Sequence, residues 1–168
     1  MKPKRRAPKV TRRQKPLTRP NLIRSPKGKQ IVKVLVGGKI QHLCIAPQSL
    51  QLKTNELCII RHQYYEDLGR IVQLREWNGE ELTEETPVVI RHASIRDQSR
   101  AHENEARAHT FERCAEKLIK EHNLPMNLVD THLSFDRKFV IFRFTAPGRV
   151  DFRELLKDMH KEISARVE

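Results

Sequence analysis

From residue 30 onward, short apolar runs follow one another at intervals that predict β-strands. The runs QIVKVLV and KIQHLCI lie on either side of Gly37-Gly38, a pair that can adopt the positive φ angles of a tight hairpin turn. Three more runs, ELCIIRH, LGRIVQLREW and PVVIRH, follow before residue 93. Because these runs are short and closely spaced, they predict a small, highly curved sheet or barrel over residues 30–93.

The periodicity changes at residue 95 to steps of three and four residues, which predicts a long helix over residues 95–123. Asn123 and Pro125 end this helix. Its first half, RDQSRAHENEARAH, is polar on almost every face, so we expect a solvated stem or a surface for a partner there. The positions that predict its apolar face are Ala101, Ala108, Phe111, Ala115, Leu118, Ile119 and His122.

Two strands and a second helix are predicted after the long helix. The runs MNLVDTHLSF and KFVIFRFTA form a hairpin joined at Asp136-Arg137, and an amphipathic helix follows Gly148. Asp151 and Glu154 have the spacing of a capping box at the start of that helix, and ARVE begins a final strand. The apolar face of the second helix consists of Phe152, Leu155, Leu156, Met159 and Ile163.

The predicted elements define an α+β fold in three parts. Residues 1–29 precede the first strand, and residues 30–93 form a small, curved, antiparallel β-subdomain. Residues 94–168 form a C-terminal α/β sandwich in the order helix, strand, strand, helix, strand, with helices covering a mostly antiparallel sheet.

Charge is distributed very unevenly between these parts. The chain has a formal net charge of +12 from 33 basic and 21 acidic residues. Twelve of the basic residues lie within residues 1–29, which contain no Asp or Glu, so the rest of the chain is formally neutral. Five of the nine prolines also lie there, and the segment has little apolar surface to bury. Residues 1–29 are therefore predicted to form a disordered basic arm.

Several classes of protein do not fit this sequence. No apolar run approaches the ~20 residues that a membrane-spanning helix needs. No apolar stretch follows the basic start, as a signal peptide requires, and the prolines disfavour the amphipathic helix of a mitochondrial presequence. Cys44, Cys58 and Cys114 have no CxxC spacing, which is typical of reduced thiols in a cytoplasmic protein.

The sequence also lacks the common catalytic motifs, because it has no Gly-rich phosphate loop, no GxSxG and no HExxH. Two sets of metal-ligand residue types can be assembled, but a partly buried sheet surface and a solvated helix face account for them better. We therefore expect no catalytic residues, no metal, no cofactor and no enzymatic activity. The two sets are His42, Cys44, Cys58 and His62 on strands, and His102, Glu105, His109 and Glu112 on the long helix.

The basic arm is the strongest chemical signal. A flexible polycation can neutralise phosphates and release counterions, which predicts contact with RNA or the ribosome that is independent of base sequence. A solubilising tail or a targeting sequence is the alternative. The residues predicted to bind nucleic acid are Lys4, Arg5, Arg6, Lys9, Arg12 and Arg13.

A second candidate site surrounds the start of the last helix, where cations are disfavoured by the helix dipole. In one interpretation, Arg149 and Arg153 pair with carboxylates of their own domain while Asp151 caps the helix. In the other, the two guanidinium groups and the helix N-terminus bind a phosphate or an acidic side chain of a partner. The sequence does not decide between them.

The run RVDFREL, residues 149–155, is the most specific part of a resemblance that covers residues 30–168. Together with LPM at 124–126, FD at 135–136 and FTA at 144–146, it resembles the polymerase-suppressor (PSP-one) C-terminal domain family, in its YaaT/RicT-like bacterial form. The upstream runs KTNELCIIRHQYYEDLGRIV and VVIRHASIRDQ are similar to that family too.

The resemblance implies a cytoplasmic regulatory subunit rather than an enzyme. Bacterial members of this type assemble with small helical partners, carry iron–sulphur clusters with them, and influence RNA processing by an endoribonuclease and a developmental phosphorelay. Relatives in some eukaryotic parasites belong to RNA-binding complexes. The bacterial members continue into a Gly- and Cys-rich segment that supplies cluster thiols, whereas this sequence ends at Glu168. Cys114 alone cannot replace those thiols, so no cluster is expected here.

These observations lead to two main functional hypotheses. In the first, the protein is a noncatalytic regulatory adaptor in RNA processing or a related complex, and its arm contacts RNA while its folded part holds a protein partner. In the second, it is an RNA- or ribosome-binding protein in its own right that uses both the arm and the folded part. A metal-dependent enzyme that uses the histidines is a third, weaker hypothesis.

Overall fold

The structure, a computed structural model, describes residues 28–77 and 82–168. Its first part is a closed five-stranded barrel with the strand order β1-β2-β5-β3-β4. The α+β class is confirmed, and the curved β-subdomain is a barrel. The strands are β1 (Lys29–Val36), β2 (Ile40–Pro47), β3 (Leu57–Arg61), β4 (Glu66–Arg75) and β5 (Val88–His92).

One pair of barrel strands departs from the predicted antiparallel arrangement. β2 and β5 pair in parallel through Ile45 and Val88, whereas the other neighbouring strands of the described barrel are antiparallel. The physical reason is that β2 and β5 are separated by β3 and β4 along the chain, so no hairpin fixes their relative direction.

Glycines allow two tight features of the barrel. Gly37 and Gly38 have φ values of 58° and 69°, and the turn closes with a hydrogen bond of 3.1 Å from Lys39 N–H to Val36 C=O. At Gly69 in β4, β1 approaches so closely that an added Cβ would lie 2.3 Å from Val34 Cγ1. The barrel interior is apolar and contains Val32, Val34, Val36, Cys44, Ala46, Leu52, Cys58, Ile60, Ile71 and Val89.

Helix α1 (Ile95–Glu121) leads from the barrel into the second part of the structure. Ser94 and Asp97 form a capping box at its start, in which Asp97 N–H donates to Ser94 Oγ and Ser94 N–H donates to the Asp97 carboxylate. Arg91 of β5 also donates to Asp97, and this bond holds the pKa of the carboxyl well below its usual value. Asn123, with φ of 50°, follows the end of the helix.

The C-terminal unit consists of α1, a three-stranded sheet in the order β6-β7-β8, and helix α2. β6 and β7 are antiparallel, and the short β8 pairs with β7 in parallel. His122 Nε2, after α1, lies 2.9 Å from Asp158 Oδ2 of α2 and so connects the two helices. The remaining elements are β6 (Asn127–Leu133), β7 (Phe139–Thr145), α2 (Arg153–Glu162) and β8 (Arg166–Val167).

Within the described residues, neither α-helix is both long and apolar enough to cross a membrane. One apolar core holds the C-terminal unit together. Leu155, Met159 and Ile163 are buried as predicted, but Phe152 is 38% exposed and does not belong to this core. The buried residues of the core are Ala108, Ala115, Ile119, Met126, Leu133, Val140, Leu155, Met159 and Ile163.

The close approach at Gly69 predicts that Gly69→Ala destabilises the barrel. The new methyl group would meet the buried side chain of Val34 and would lie 3.1 Å from the backbone oxygen of Leu35. We expect the free energy of unfolding in urea to fall by about 1–3 kcal/mol. Gly148→Ala is the matched control, because its Cβ meets nothing within 4 Å, and it should change stability by less than about 0.5 kcal/mol. Equal unfolding midpoints for the two variants would contradict the prediction.

Candidate functional site

The predicted nucleic-acid-binding residues lie outside the described residues. The structure covers only Gly28 and Lys29 of the predicted arm, and Lys29 is the first residue of β1. The contact of the arm with RNA therefore stays a prediction. The arm residues concerned are Lys4, Arg5, Arg6, Lys9, Arg12 and Arg13.

The three residues predicted to bind an anion or a partner lie on the surface ahead of α2. Arg153 donates to Asp151 through Nε at 2.9 Å and through Nη2 at 2.6 Å, and this pair lowers the pKa of Asp151. The pair is exposed, so it contributes little to stability. Arg149 is also exposed and makes no hydrogen bond or ion pair with any residue that the structure describes. Arg153 thus has an internal partner, and Arg149 is available to an external one.

The capping box predicted at Asp151 and Glu154 is wrong. The residue at the N-cap of α2 is Phe152, which provides no side-chain cap. Asp151 instead uses its carboxylate for the side chain and the backbone N–H of Arg153. The backbone of residue 152, with φ of −106° and ψ of 19°, shifts the first helical residue to Arg153. As a result, Phe152 turns toward the surface next to Arg153.

An apolar groove lies beside these residues. Phe144 of β7 and Phe152 are 42% and 38% exposed, and their rings make an edge contact with centroids 5.9 Å apart. The groove has a volume of about 210 Å³. It is lined almost wholly by apolar side chains, which include Leu128, Phe142, Leu156 and Val167 as well as the two exposed rings.

A second, larger cavity of about 420 Å³ lies between the barrel and the C-terminal unit. We call it the interdomain cleft. The Gly37-Gly38 turn, the start of β4, the first half of α1 and β6 line it. Its charged groups largely satisfy one another, since Asp130 accepts hydrogen bonds from both Lys39 and Arg143. Its volume is in the range of ligand pockets, but the balanced charges do not select a cationic or an anionic ligand.

Asp67 and His132, which line the cleft, form a cluster with two further histidines. We call the four residues the His-Asp cluster: His42, His62, Asp67 and His132. Asp67 is only 2% exposed, and its Oδ1 lies 2.8 Å from His132 Nε2. Burial alone raises the pKa of Asp67, but its contacts with His132 and His62 outweigh burial and hold it below its usual value. Burial, followed by the neighbouring His62, lowers the pKa of His42.

The polar first half of α1 has a role within the fold. Asn104 is only 4% exposed, and its amide donates to the backbone oxygens of Ser134 at 3.1 Å and Phe135 at 3.2 Å. Its own oxygen accepts a hydrogen bond of 2.7 Å from Arg137 Nε. The expectation that this half is only a solvated stem or a partner surface is therefore wrong for the face that carries Asn104.

The two sets of metal-ligand residue types are not brought together as metal sites. Burial raises the pKa of Cys44 and Cys58 to about 12, so both remain protonated thiols inside the barrel rather than thiolate ligands. Among residues 28–77 and 82–168, no group of three or more His, Cys, Asp or Glu is arranged to hold a metal ion. On α1, His109 and His102 are exposed and lie near carboxylates of their own helix turn.

Sequence reasoning did not identify the polar contacts that join the barrel to the C-terminal unit. Asp67 and His132 are 65 residues apart along the chain, and no local pattern connects them. The contacts of Asn104, which lie within the C-terminal unit, were also missed, because Asn104 is in a polar run with no periodic signal of burial. The capping box of Ser94 and Asp97, in contrast, could have been predicted from the sequence. A serine followed three positions later by an acidic residue is a recognisable signal for the start of a helix.

In comparison with known proteins, residues 87–168 match the family described as the PSP1 C-terminal conserved region. Stage 0 sporulation protein YaaT of Bacillus subtilis is 51% identical over 81 residues, which are 48% of this chain and 29% of YaaT. An uncharacterised protein of Schizosaccharomyces pombe is 37% identical over 49 residues, 29% of this chain and 6% of that protein. The matched segments thus span less than a third of either relative, and no solved structure matches.

The contacts of Asn104 predict that Asn104→Ala destabilises the protein. The substitution leaves Ser134 C=O and Arg137 Nε without this partner, whereas Phe135 C=O keeps the hydrogen bond from Arg100 Nε. We expect a loss of about 1–3 kcal/mol in the free energy of unfolding, measured in urea. Thr110→Ala, an exposed position on the same helix, should change it by less than about 0.5 kcal/mol. A loss no larger than that of the control would show that the Asn104 contacts contribute nothing.

Proposed function

We propose, from the premise that residues 87–168 belong to the PSP1 C-terminal family, that this protein is a noncatalytic regulatory adaptor. Its C-terminal unit binds a protein partner, and its basic arm contacts RNA. The regulatory role is supported by the similarity to a protein named for a stage of sporulation. The adaptor role is supported above all by the apolar groove with the exposed rings of Phe144 and Phe152, which lies within the matched region.

The surroundings of the groove favour a partner segment that is apolar with an acidic flank. Aromatic side chains at a surface contribute strongly to binding when a partner buries them. Arg149 lies near Phe152 in the chain, is exposed, and has no internal carboxylate partner among the described residues. A carboxylate of the partner can pair with Arg149 while apolar side chains enter the groove that Phe144 and Phe152 line.

The RNA contact rests on the charge of the arm. Twelve basic residues without a single acidic one give a segment whose binding to phosphates is independent of base sequence and weakens with salt. In the alternative proposal, the folded part also binds RNA, and Arg149 and Arg153 contact its phosphates. The bidentate contact between Arg153 and Asp151 counts against this alternative, because it leaves one of the two guanidinium groups already neutralised.

Phe152→Ser tests the partner-binding groove. The substitution removes an exposed ring from the groove, and because Phe152 provides no side-chain cap to α2, the helix should remain intact. With a partner identified by co-purification from native cells and then purified, we expect the dissociation constant to rise by roughly thirtyfold, as for a residue that dominates an interface. Isothermal titration calorimetry provides the measurement.

Ile95→Ser is the matched control for this experiment, because Ile95 is 81% exposed and does not line the groove. It should leave the dissociation constant within about twofold of the unmodified protein. Unchanged affinity of Phe152→Ser would place the partner on another surface. Circular dichroism of both variants verifies that α2 is folded.

Truncation of the arm tests the RNA contact. A chain that lacks residues 1–27 keeps Lys29 in β1 and the oxygen of Gly28, which accepts a hydrogen bond of 3.0 Å from Gln48 N–H. Binding of labelled single-stranded RNA is measured across a salt series for both chains. We expect the truncation to remove nearly all RNA affinity while partner binding is retained. If the truncated chain binds RNA with a comparable dependence on salt, the alternative proposal is correct.

A further inference from the structure

The His-Asp cluster lies where the barrel meets the C-terminal unit. His42 from β2, His62 after β3 and Asp67 from β4 belong to the barrel, whereas His132 belongs to β6. His132 Nε2 lies 2.8 Å from Asp67 Oδ1, and His62 Nε2 lies 3.6 Å from Asp67 Oδ2. The rings of His42 and His62 make an edge contact with centroids 4.9 Å apart. One buried carboxylate thus lies beside two imidazoles, and a third imidazole packs against one of them.

The same carboxylate is a direct link between the two parts of the structure. The backbone N–H of Phe135, in the turn between β6 and β7, lies 3.2 Å from Asp67 Oδ1. That N–H also lies 2.8 Å from the backbone oxygen of Glu66, the neighbour of Asp67 in β4. The Phe135 N–H therefore reports directly on whether the turn is docked against the barrel.

We infer that this contact is a pH-sensitive joint, which loosens when the His-Asp cluster takes up more protons than its single carboxylate can balance. One protonated imidazole beside Asp67 is a favourable ion pair in a site with little water. A second or third proton adds like charges within a few ångströms. The further carboxylate near His132 is Asp130, which already accepts hydrogen bonds from Lys39 and Arg143. Separation of the barrel from the β6–β7 turn relieves that repulsion by admitting water.

The charged groups around His42 agree with this direction. His62 from the loop after β3, His132 from β6 and Arg143 from β7 all disfavour a charge on His42, whereas Asp67 from β4 favours it. Arg143 is itself paired with Asp130 of β6. Tyr65, stacked on His62, adds no positive charge. Burial is the largest effect, and together these influences lower the pKa of His42 from its ordinary value of 6.5.

The sign of the pH dependence follows from linkage. A group whose pKa is lowered in the docked state stabilises that state above its undocked pKa and loses this contribution as the pH falls through its docked pKa. For His42 the loss begins below its ordinary value of 6.5, and for Asp67 it begins below 3.8. Both groups therefore act in the same direction, and acidification loosens the joint first through His42.

This inference goes beyond the proposed function, but it affects the geometry that an adaptor needs. Residues 1–29 lead into β1 of the barrel, whereas the groove of Phe144 and Phe152 belongs to the C-terminal unit. The joint therefore determines how the two proposed binding regions are arranged. It also forms one wall of the interdomain cleft, which Asp67 and His132 line.

Amide hydrogen exchange of the full-length chain tests the joint. The protection factor of the Phe135 N–H, corrected for the intrinsic pH dependence of exchange, is measured by nuclear magnetic resonance at about pH 7.5 and about pH 5.5. We expect it to fall about tenfold on acidification. The Ile71 N–H, which donates to Glu56 C=O inside the barrel at 2.9 Å, should keep its protection factor. Equal protection of Phe135 at the two pH values would overturn the inference.

Two histidine variants assign the effect. His42→Gln removes a group whose charge is disfavoured by burial and by its neighbours, and the fall in Phe135 protection should shrink to less than about twofold. His102→Gln is the matched control, because His102 is highly exposed on α1 and lies near Glu105, and it should show the full tenfold fall. If His42→Gln behaves like His102→Gln, the joint does not respond through this cluster. The readout does not depend on partner or RNA binding, so its failure is distinguishable from failure of the proposed function.

Discussion

The turn between β6 and β7 is held from two sides, and the arrangement of the whole molecule depends on this. From the barrel, Asp67 and the backbone of Glu66 accept the Phe135 N–H. From α1, Asn104 donates to the oxygens of Ser134 and Phe135. One short turn thus connects the barrel, the long helix and the C-terminal sheet.

These connections are polar, and this has consequences for the stability of the joint. An apolar interface tolerates small displacements, whereas a buried carboxylate or amide loses much of its stabilisation when a partner moves beyond hydrogen-bond distance. Asp67 and Asn104 are both nearly inaccessible to solvent. The joint is therefore specific in its geometry and sensitive to any change in charge. An apolar core such as the barrel interior does not have this sensitivity to charge.

The groove and the joint occupy different parts of the C-terminal unit. The groove lies between α2 and the sheet, where Phe144 and Phe152 remain partly exposed. The joint lies at the turn end of the β6–β7 hairpin, where Phe135 is. Phe144 lies near the other end of β7. A partner can therefore cover the groove without displacing the contacts of Asp67.

Charge balance across the folded part also fits the proposed adaptor, whose excess positive charge resides in the arm.

The amino-acid sequence by itself determined the local elements: the strands, the Gly37-Gly38 turn, the long helix from residue 95 and the final short strand. These follow from periodicity and from turn residues, whose effects act over a few positions. Only the tertiary structure decided the parallel contact of β2 with β5, the burial of Asp67 and Asn104, and the exposure of Phe152. Asn104 meets its partners across 30 residues and Asp67 meets His132 across 65, so no local pattern can encode these contacts. A polar residue is buried only where distant segments supply its hydrogen bonds, and that supply exists only once the chain has folded.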